Sequence, residues 1–177
     1  GHAGRGQGLV EDQPYEPKYR LALANAYQNY HAIAAVCNEQ VYATEIRNSS
    51  ERILERLVAD FPEVPDYRCG LSEMLMLAAK SNEFESVDRS NEINRAVLLA
   101  YDLNREFPSI PRYQVALSRS MSLQATLTRP NDPVLADSMH NRAIELLRQL
   151  ADRFPEVAAY RVFLGEALRE RGLTLRS

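Results

Sequence analysis

The sequence predicts an all-α fold of about seven helices, paired into antiparallel hairpins and stacked one on the next. Three observations carry this reading. A Phe-Pro stretch recurs as FPEVPDYRCGLSE from Phe61, FPSIPRYQVALSR from Phe107 and FPEVAAYRVFLGE from Phe154, at spacings of 46 and 47 residues. Apolar residues on both sides of each copy follow the 3.6-residue period of a helix. All nine prolines lie in the N-terminal segment or at the joints, where the missing N–H and the fixed φ break no helical ladder.

Taken in order, residues 1–14 open with GHAGRGQG, which holds four of the seven glycines and reads as a flexible segment or a tag remnant. Residues 15–177 are expected to form one repeat domain, with repeats at about 17–62, 63–108 and 109–155 and a terminal helix at 157–175. The helices are placed at roughly 17–37, 41–60, 65–81, 86–106, 111–128, 133–153 and 157–175. Each repeat has a leading helix that begins near a tyrosine: Tyr19, Tyr67, Tyr113 or Tyr160. Four residues on stands Leu23, Leu71, Leu117 or Leu164, and five on stands the small Ala24, Ser72, Ser118 or Gly165. Eight on stands the large Tyr27, Leu75, Met121 or Leu168, so one face is apolar with a small residue where another helix can approach. The trailing helix ends just before the phenylalanine. Counting back 4, 7, 8 and 11 residues gives Leu57, Leu54, Ile53 and Ser50; Leu103, Ala100, Leu99 and Ala96; and Leu150, Leu147, Leu146 and Ala143. Those offsets form a second amphipathic stripe. Proline after Phe61 turns the chain out of the helix, Pro65 suits the first turn of the next one, and Asp132 before Pro133 is a candidate N-cap.

At 177 residues, with 45% hydrophobic and 25% charged residues, the chain has the composition of a folded protein. A net charge of −3 and a pI near 5.7 give no broad attraction to nucleic acid or to an anionic membrane. There is no apolar run of about 18 residues and no signal-peptide pattern, so the expected location is the cytoplasm, with neither nucleic acid nor membrane as partner. Cys37 and Cys69 both fall inside apolar helical patterns and read as reduced core thiols, with a disulfide or a reactive thiol as the alternative.

Catalytic constellations are missing from the sequence. After residue 8 the glycines are Gly70, Gly165 and Gly172, so there is no phosphate-cradling glycine loop. Neither Gly-x-Ser-x-Gly, Cys-x-x-Cys nor His-Glu-x-x-His occurs. His2, His31 and His140 are too scattered to suggest a metal site, and His31 falls at a helix-packing position shared with Ala79 and Ala125. Glu39, Glu45, Glu51 and Glu55 read as solvated helix faces with arginines nearby. The pairs Tyr19-Arg20, Tyr67-Arg68 and Tyr160-Arg161, with Tyr113-Gln114, are tempting as anion clamps. A catalytic site is needed once, however, whereas a packing joint is needed in every repeat. The tyrosine is therefore expected to pack on the preceding phenylalanine-bearing helix, and the arginine to reach joint carbonyls. No cofactor, metal or catalytic residue is expected.

The hairpin tandem resembles the tetratricopeptide repeat family. The Phe-Pro-x-Val/Ile-Pro-x-Tyr-Arg motif with its Leu-Ala/Ser pair is similar to the long repeats found beside serine/threonine kinase domains in some bacterial proteins. The likeness covers about residues 15–177, although the usual repeat has 34 residues and this one about 47. The family's leading-helix glycine is replaced by His31, Ala79 and Ala125 and kept only as Gly172. The resemblance implies a right-handed superhelical stack whose leading helices line a concave groove that binds partner peptides. Counting from each tyrosine, offsets 6, 9, 13 and 16 point away from the apolar stripe. The groove residues so placed are Asn25, Gln28, Glu73, Met76, Lys80, Arg119, Ser122, Arg129, Glu166 and Arg169. They form no basic ladder of the kind related repeats use on a terminal carboxylate, and an ordinary solvated face is the competing reading.

The function expected is thus a non-catalytic scaffold for a protein or peptide partner. An alternative is an accessory region of a larger signalling protein such as a serine/threonine kinase, and an enzyme with an unfamiliar inter-helix site ranks behind both. The lone terminal helix either caps the stack or marks a portion of a longer array, the reading favoured here, and an unfinished hairpin would expose an apolar face through which homodimers could form.

Overall fold

The computed structural model describes residues 21–22, 40–80 and 86–174. Its described residues are helical apart from the joints, and no strand occurs among them. Six helices follow in order: α1 (Gln40–Asp60), α2 (Pro65–Lys80), α3 (Ser86–Glu106), α4 (Pro111–Thr128), α5 (Pro133–Arg153) and α6 (Ala158–Thr174). The predicted bounds differ from these by a residue or so at each end. The helix expected at 17–37 lies outside the described residues except for Leu21 and Ala22, which are helical. Contacts divide the chain into two compact units, 1–74 and 75–177, with the boundary inside α2.

The Phe-Pro joint has the same backbone wiring each time. The N–H of Phe61 donates to Leu57 O at 2.9 Å, Val64 N–H to Phe61 O at 3.1 Å, and Tyr67 N–H to Val64 O at 3.2 Å. Phe107, Ile110 and Tyr113 repeat this at 2.9, 3.2 and 3.2 Å; Phe154, Val157 and Tyr160 do so at 2.9, 3.0 and 3.2 Å. Three bonds across seven residues occupy groups that two adjoining helix ends would otherwise leave orphaned. The rings complete the joint. Phe61–Tyr67, Phe107–Tyr113 and Phe154–Tyr160 sit edge to face with centroids 6.1, 5.9 and 6.0 Å apart, the arrangement the ring quadrupole favours. The residue after the tyrosine then serves the turn: Arg161 and Gln114 donate to the carbonyls of Pro155 and Pro108. These side chains are engaged in the joint.

In the first unit, Leu54 and Leu57 of α1 are fully buried, as is Ser50 one turn earlier. Gly70 of α2 lies where a Cβ would stand 3.2 Å from Leu54 Cδ2, so the two helices approach too closely there for a larger residue without a shift of that side chain. Cys69 is a buried thiol whose Sγ donates to Glu73 Oε1 at 3.7 Å.

In the second unit the trailing-helix stripe is the core. Ala96, Ala100 and Leu103 of α3 and Ala143, Leu147 and Leu150 of α5 are essentially inaccessible, while Leu99 and Leu146, at the stripe's edge, are half-buried. α4 packs against α3, α5 and α6, and α6 against α5 and α4. Polar ties mark the seams: Gln124 Nε2 donates to Asn94 Oδ1 at 2.8 Å, and Arg171 Nε donates to Asp137 Oδ1 at 2.8 Å. Arg89 Nε donates to Ala79 O at 2.9 Å, occupying one of the last carbonyls of α2.

Asp132 caps α5: its carboxylate accepts from Leu135 N–H at 2.9 Å, with Pro133 as the first helical residue. Asp132→Ala should therefore lower stability by about 1 kcal/mol, read as a shift in a urea unfolding midpoint. Asp132→Asn, which keeps an acceptor, should lose much less.

Candidate functional site

The second unit contains one cleft whose walls join four helices. The end of α2 supplies Met76 and Lys80, α4 supplies Arg119, Ser122 and Leu123, and α5 supplies Leu147. The inner face of α6 adds Phe163, Glu166, Ala167 and Glu170. Its volume is about 60 Å³, room for the tip of a side chain and small beside the several hundred Å³ that enclose a drug-sized ligand.

Five of the predicted groove residues, Met76, Lys80, Arg119, Ser122 and Glu166, converge here. Arg169 is exposed on α6 outside the cleft, and Arg129 is the half-buried residue that caps α4. Glu73 belongs to the first unit. Asn25 and Gln28 lie outside the described residues. The helical wheel needs one correction. Offset 9 was expected to face away from the apolar stripe, yet Met76 and Ser122 are buried, because both sit in the walls of the cleft that α6 also lines. The cleft also drifts in register. It takes offsets 9 and 13 from α2, 6, 9 and 10 from α4, and 3, 6, 7 and 10 from α6. Each helix thus enters the cleft about one turn earlier than the one before.

Leu123, Phe163 and Glu170 were missed for that reason. Leu123 and Glu170 share offset 10, one helical turn beyond Arg119 and Glu166, and a wheel widened by that turn would have found them. Phe163 stands where the earlier repeats have Gly70 and Ala116, a small-to-aromatic change visible in the aligned copies.

The electrostatics of the cleft are unusual for a solvated face. Arg119 places its guanidinium 5.1 Å from the centre of the Phe163 ring, a cation–π distance. Among the described residues no ion pair within 4 Å joins Lys80, Arg119, Glu166 or Glu170 to any partner. Burial pushes the Glu170 carboxyl above the usual carboxylate range, with Glu166 adding to the rise; nearby Lys80, Arg169 and Arg119 oppose it without cancelling it. The Ser122 hydroxyl is likewise buried and without a hydrogen-bond partner among the described residues. The cleft therefore brings together two cations, a carboxylate pair spaced i, i+4 and an unsatisfied hydroxyl beside apolar surface.

Elsewhere among the described residues, no group of three or more His, Cys, Asp or Glu is placed to hold a metal ion. No described helix is long and apolar enough to cross a membrane. No family model, curated protein or solved structure matches the chain.

Proposed function

We propose that this chain is a non-catalytic scaffold of tetratricopeptide-like hairpins, wound as a right-handed stack. In this reading a partner polypeptide lies along the leading-helix face, anchored at the Lys80–Arg119–Glu166–Glu170 cleft. The observation that carries the proposal is Glu170. A carboxylate held partly dry with no ion-pair partner works against stability, and such groups cluster where a ligand supplies what the fold withholds. A partner's N–H or cationic side chain would satisfy it, while Lys80 and Arg119 would hold an adjacent acidic or carbonyl group. Many modest contacts along a rigid surface would supply the affinity.

Affinity capture from the native extract tests this, comparing the wild-type chain with Lys80→Glu and Glu166→Lys. Both positions are exposed, so the fold should survive either change. A partner captured by the wild-type chain and lost from both variants supports the cleft; identical captures move the site elsewhere.

The sign of the Glu170 shift gives a separate expectation. A carboxyl whose folded pKa is raised contributes stability below its unfolded pKa and loses it as pH rises through the folded value. Glu170→Gln should therefore melt at or above the wild-type temperature at pH 7, with the difference shrinking towards pH 4. At the same time it should weaken partner binding, a split that a purely structural glutamate would not produce.

A further inference from the structure

The cleft sorts its charges by helix. Both cations, Lys80 and Arg119, come from α2 and α4, and both carboxylates, Glu166 and Glu170, come from α6. The sorting repeats at two depths: Lys80 and Glu166 are exposed, while Arg119 and Glu170 are half-buried. Among the described residues neither cation forms an ion pair within 4 Å with either carboxylate. Lys80 and Arg119 nevertheless lie near enough to oppose the rise at Glu170, so the two sets face one another across a gap. Glu166 and Glu170 share this cleft with α2, α4 and α5, so they are turned towards the helices that precede α6. Arg119 lies with its guanidinium over the Phe163 ring at 5.1 Å, a contact made by its face that leaves the in-plane N–H groups able to donate. Ser122, 5% exposed, adds a buried hydroxyl with no hydrogen-bond partner among the described residues.

We propose that the cleft takes the side-chain carboxamide of a glutamine or asparagine, its oxygen towards Lys80 and Arg119 and its NH2 group towards Glu166 and Glu170. This inference rests on the reading of the cleft as a partner's anchoring point, and it names the anchor. An inserted carboxylate would meet the two glutamates, the inner of which burial already drives towards its neutral form. An inserted ammonium or guanidinium would meet Lys80 and Arg119. Either ion would leave one wall without a partner and would itself have to shed water. A carboxamide is neutral, accepts at its oxygen and donates at its nitrogen, so it answers both walls without an ionic desolvation cost. A hydroxyl also accepts and donates, but from a single atom; the forked amide reaches both sides at once. At about 60 Å³ the cleft admits a side-chain tip of this kind, and Met76 and Leu123 offer apolar surface to the methylenes behind it. The Ser122 hydroxyl, which can turn to donate or accept, would gain the partner that the fold does not give it.

The test is an NMR titration of the protein with N-acetyl-glutamine N-methylamide, beside the same blocked derivatives of glutamate, lysine and serine. Saturable shifts of the Ser122 and Ala167 amides and of the Arg119 Nε–H are expected with the glutamine derivative. Its dissociation constant should be on the order of 1 mM, as suits a molecule of that size. The glutamate, lysine and serine derivatives should bind at least tenfold more weakly. Ser122→Ala should weaken the glutamine derivative by about two- to tenfold while leaving the melting temperature unchanged or higher, since it removes an unsatisfied hydroxyl. Glu170→Gln should weaken the glutamine derivative and narrow its advantage over the glutamate one, a change of preference that a merely structural residue would not produce. Absence of saturable shifts at the cleft, equal binding by a charged or hydroxyl derivative, or an unaltered preference in Glu170→Gln would overturn the proposal. A captured polypeptide that Lys80→Glu and Glu166→Lys both lose, yet that binds undiminished after all its glutamines and asparagines are replaced, would keep the polypeptide reading and sink this one. Specific binding of the glutamine derivative, with no polypeptide captured, would do the reverse.

Discussion

Tyr113→Ala is expected to destabilise the chain by about 3 kcal/mol, within the range for large buried truncations, and to lower the melting temperature by roughly 6–12 °C. Tyr113 is 5% exposed and is the most buried of the three described joint tyrosines. Its removal deletes buried aromatic area, leaves a cavity at the seam and strips Phe107 of its edge-to-face partner. The backbone bonds Phe107 N–H to Leu103 O and Tyr113 N–H to Ile110 O remain, so the joint should loosen without ceasing to be a turn. Tyr113→Phe keeps the ring pair and should lose much less, separating the ring's packing from the hydroxyl's contacts. A double-mutant cycle with Phe107→Ala should give a coupling of about 0.5–1.5 kcal/mol. Urea unfolding is the measurement, and a loss below about 1 kcal/mol for Tyr113→Ala would contradict the packing role of the joint. Tyr67 and Tyr160 are only half-buried, so the same change should cost less at either.

The joints were legible because their chemistry is local. Phe-Pro ends a helix by sterics, a proline at the next first turn starts one, and the tyrosine six residues beyond the phenylalanine is set by the length of the turn. The trailing stripe was legible for the same reason: Leu57, Leu103 and Leu150 recur at one offset, and all three are buried. The cleft was legible only in part. Lys80, Arg119 and Glu166 follow from the wheel of a single helix. The displacement of one leading helix along the next is a property of the pair, and it decides that Glu170 enters the cleft while Arg169 stays outside. Burial of Ser122 likewise depends on the neighbouring helix, which no single-helix pattern encodes. The exposure of Gly165 could not be read from the pattern, since the aligned copies give it the same slot as the buried Ser72 and Ser118.

The second large effect is expected at His140, whose register was overlooked. Fourteen residues before each joint phenylalanine stand Arg47, Ile93 and His140, and all three are buried. His140 is wholly inaccessible, and neither ring nitrogen has a hydrogen-bond partner among the described residues. Burial holds its pKa below the ordinary value of 6.5. Asp137 on the same helix pulls it up, while Arg171 of α6 and Arg129 at the end of α4 push it further down. The imidazole is therefore carried neutral into an apolar register with its polar atoms unsatisfied, an arrangement that costs about 1–3 kcal/mol per such group. His140→Ile, which installs the residue found at the same register in α3, should raise stability at pH 7.5 by an amount of that order. The pH dependence follows from linkage. A base whose folded pKa is depressed leaves stability complete above its unfolded pKa, and stability falls as pH drops from about 6.5 towards the folded value, because the unfolded chain takes up the proton first. The gap between His140→Ile and wild type should widen over that interval and flatten below it. Asp137 adds a loss common to both proteins at still lower pH, since its hydrogen bond to Arg171 holds that carboxyl below the usual range. Unfolding midpoints measured from pH 8 to pH 4 test both parts. A variant no more stable than wild type at pH 7.5 would mean that the imidazole is satisfied in solution. A gap independent of pH would mean that it does not change its proton affinity on folding.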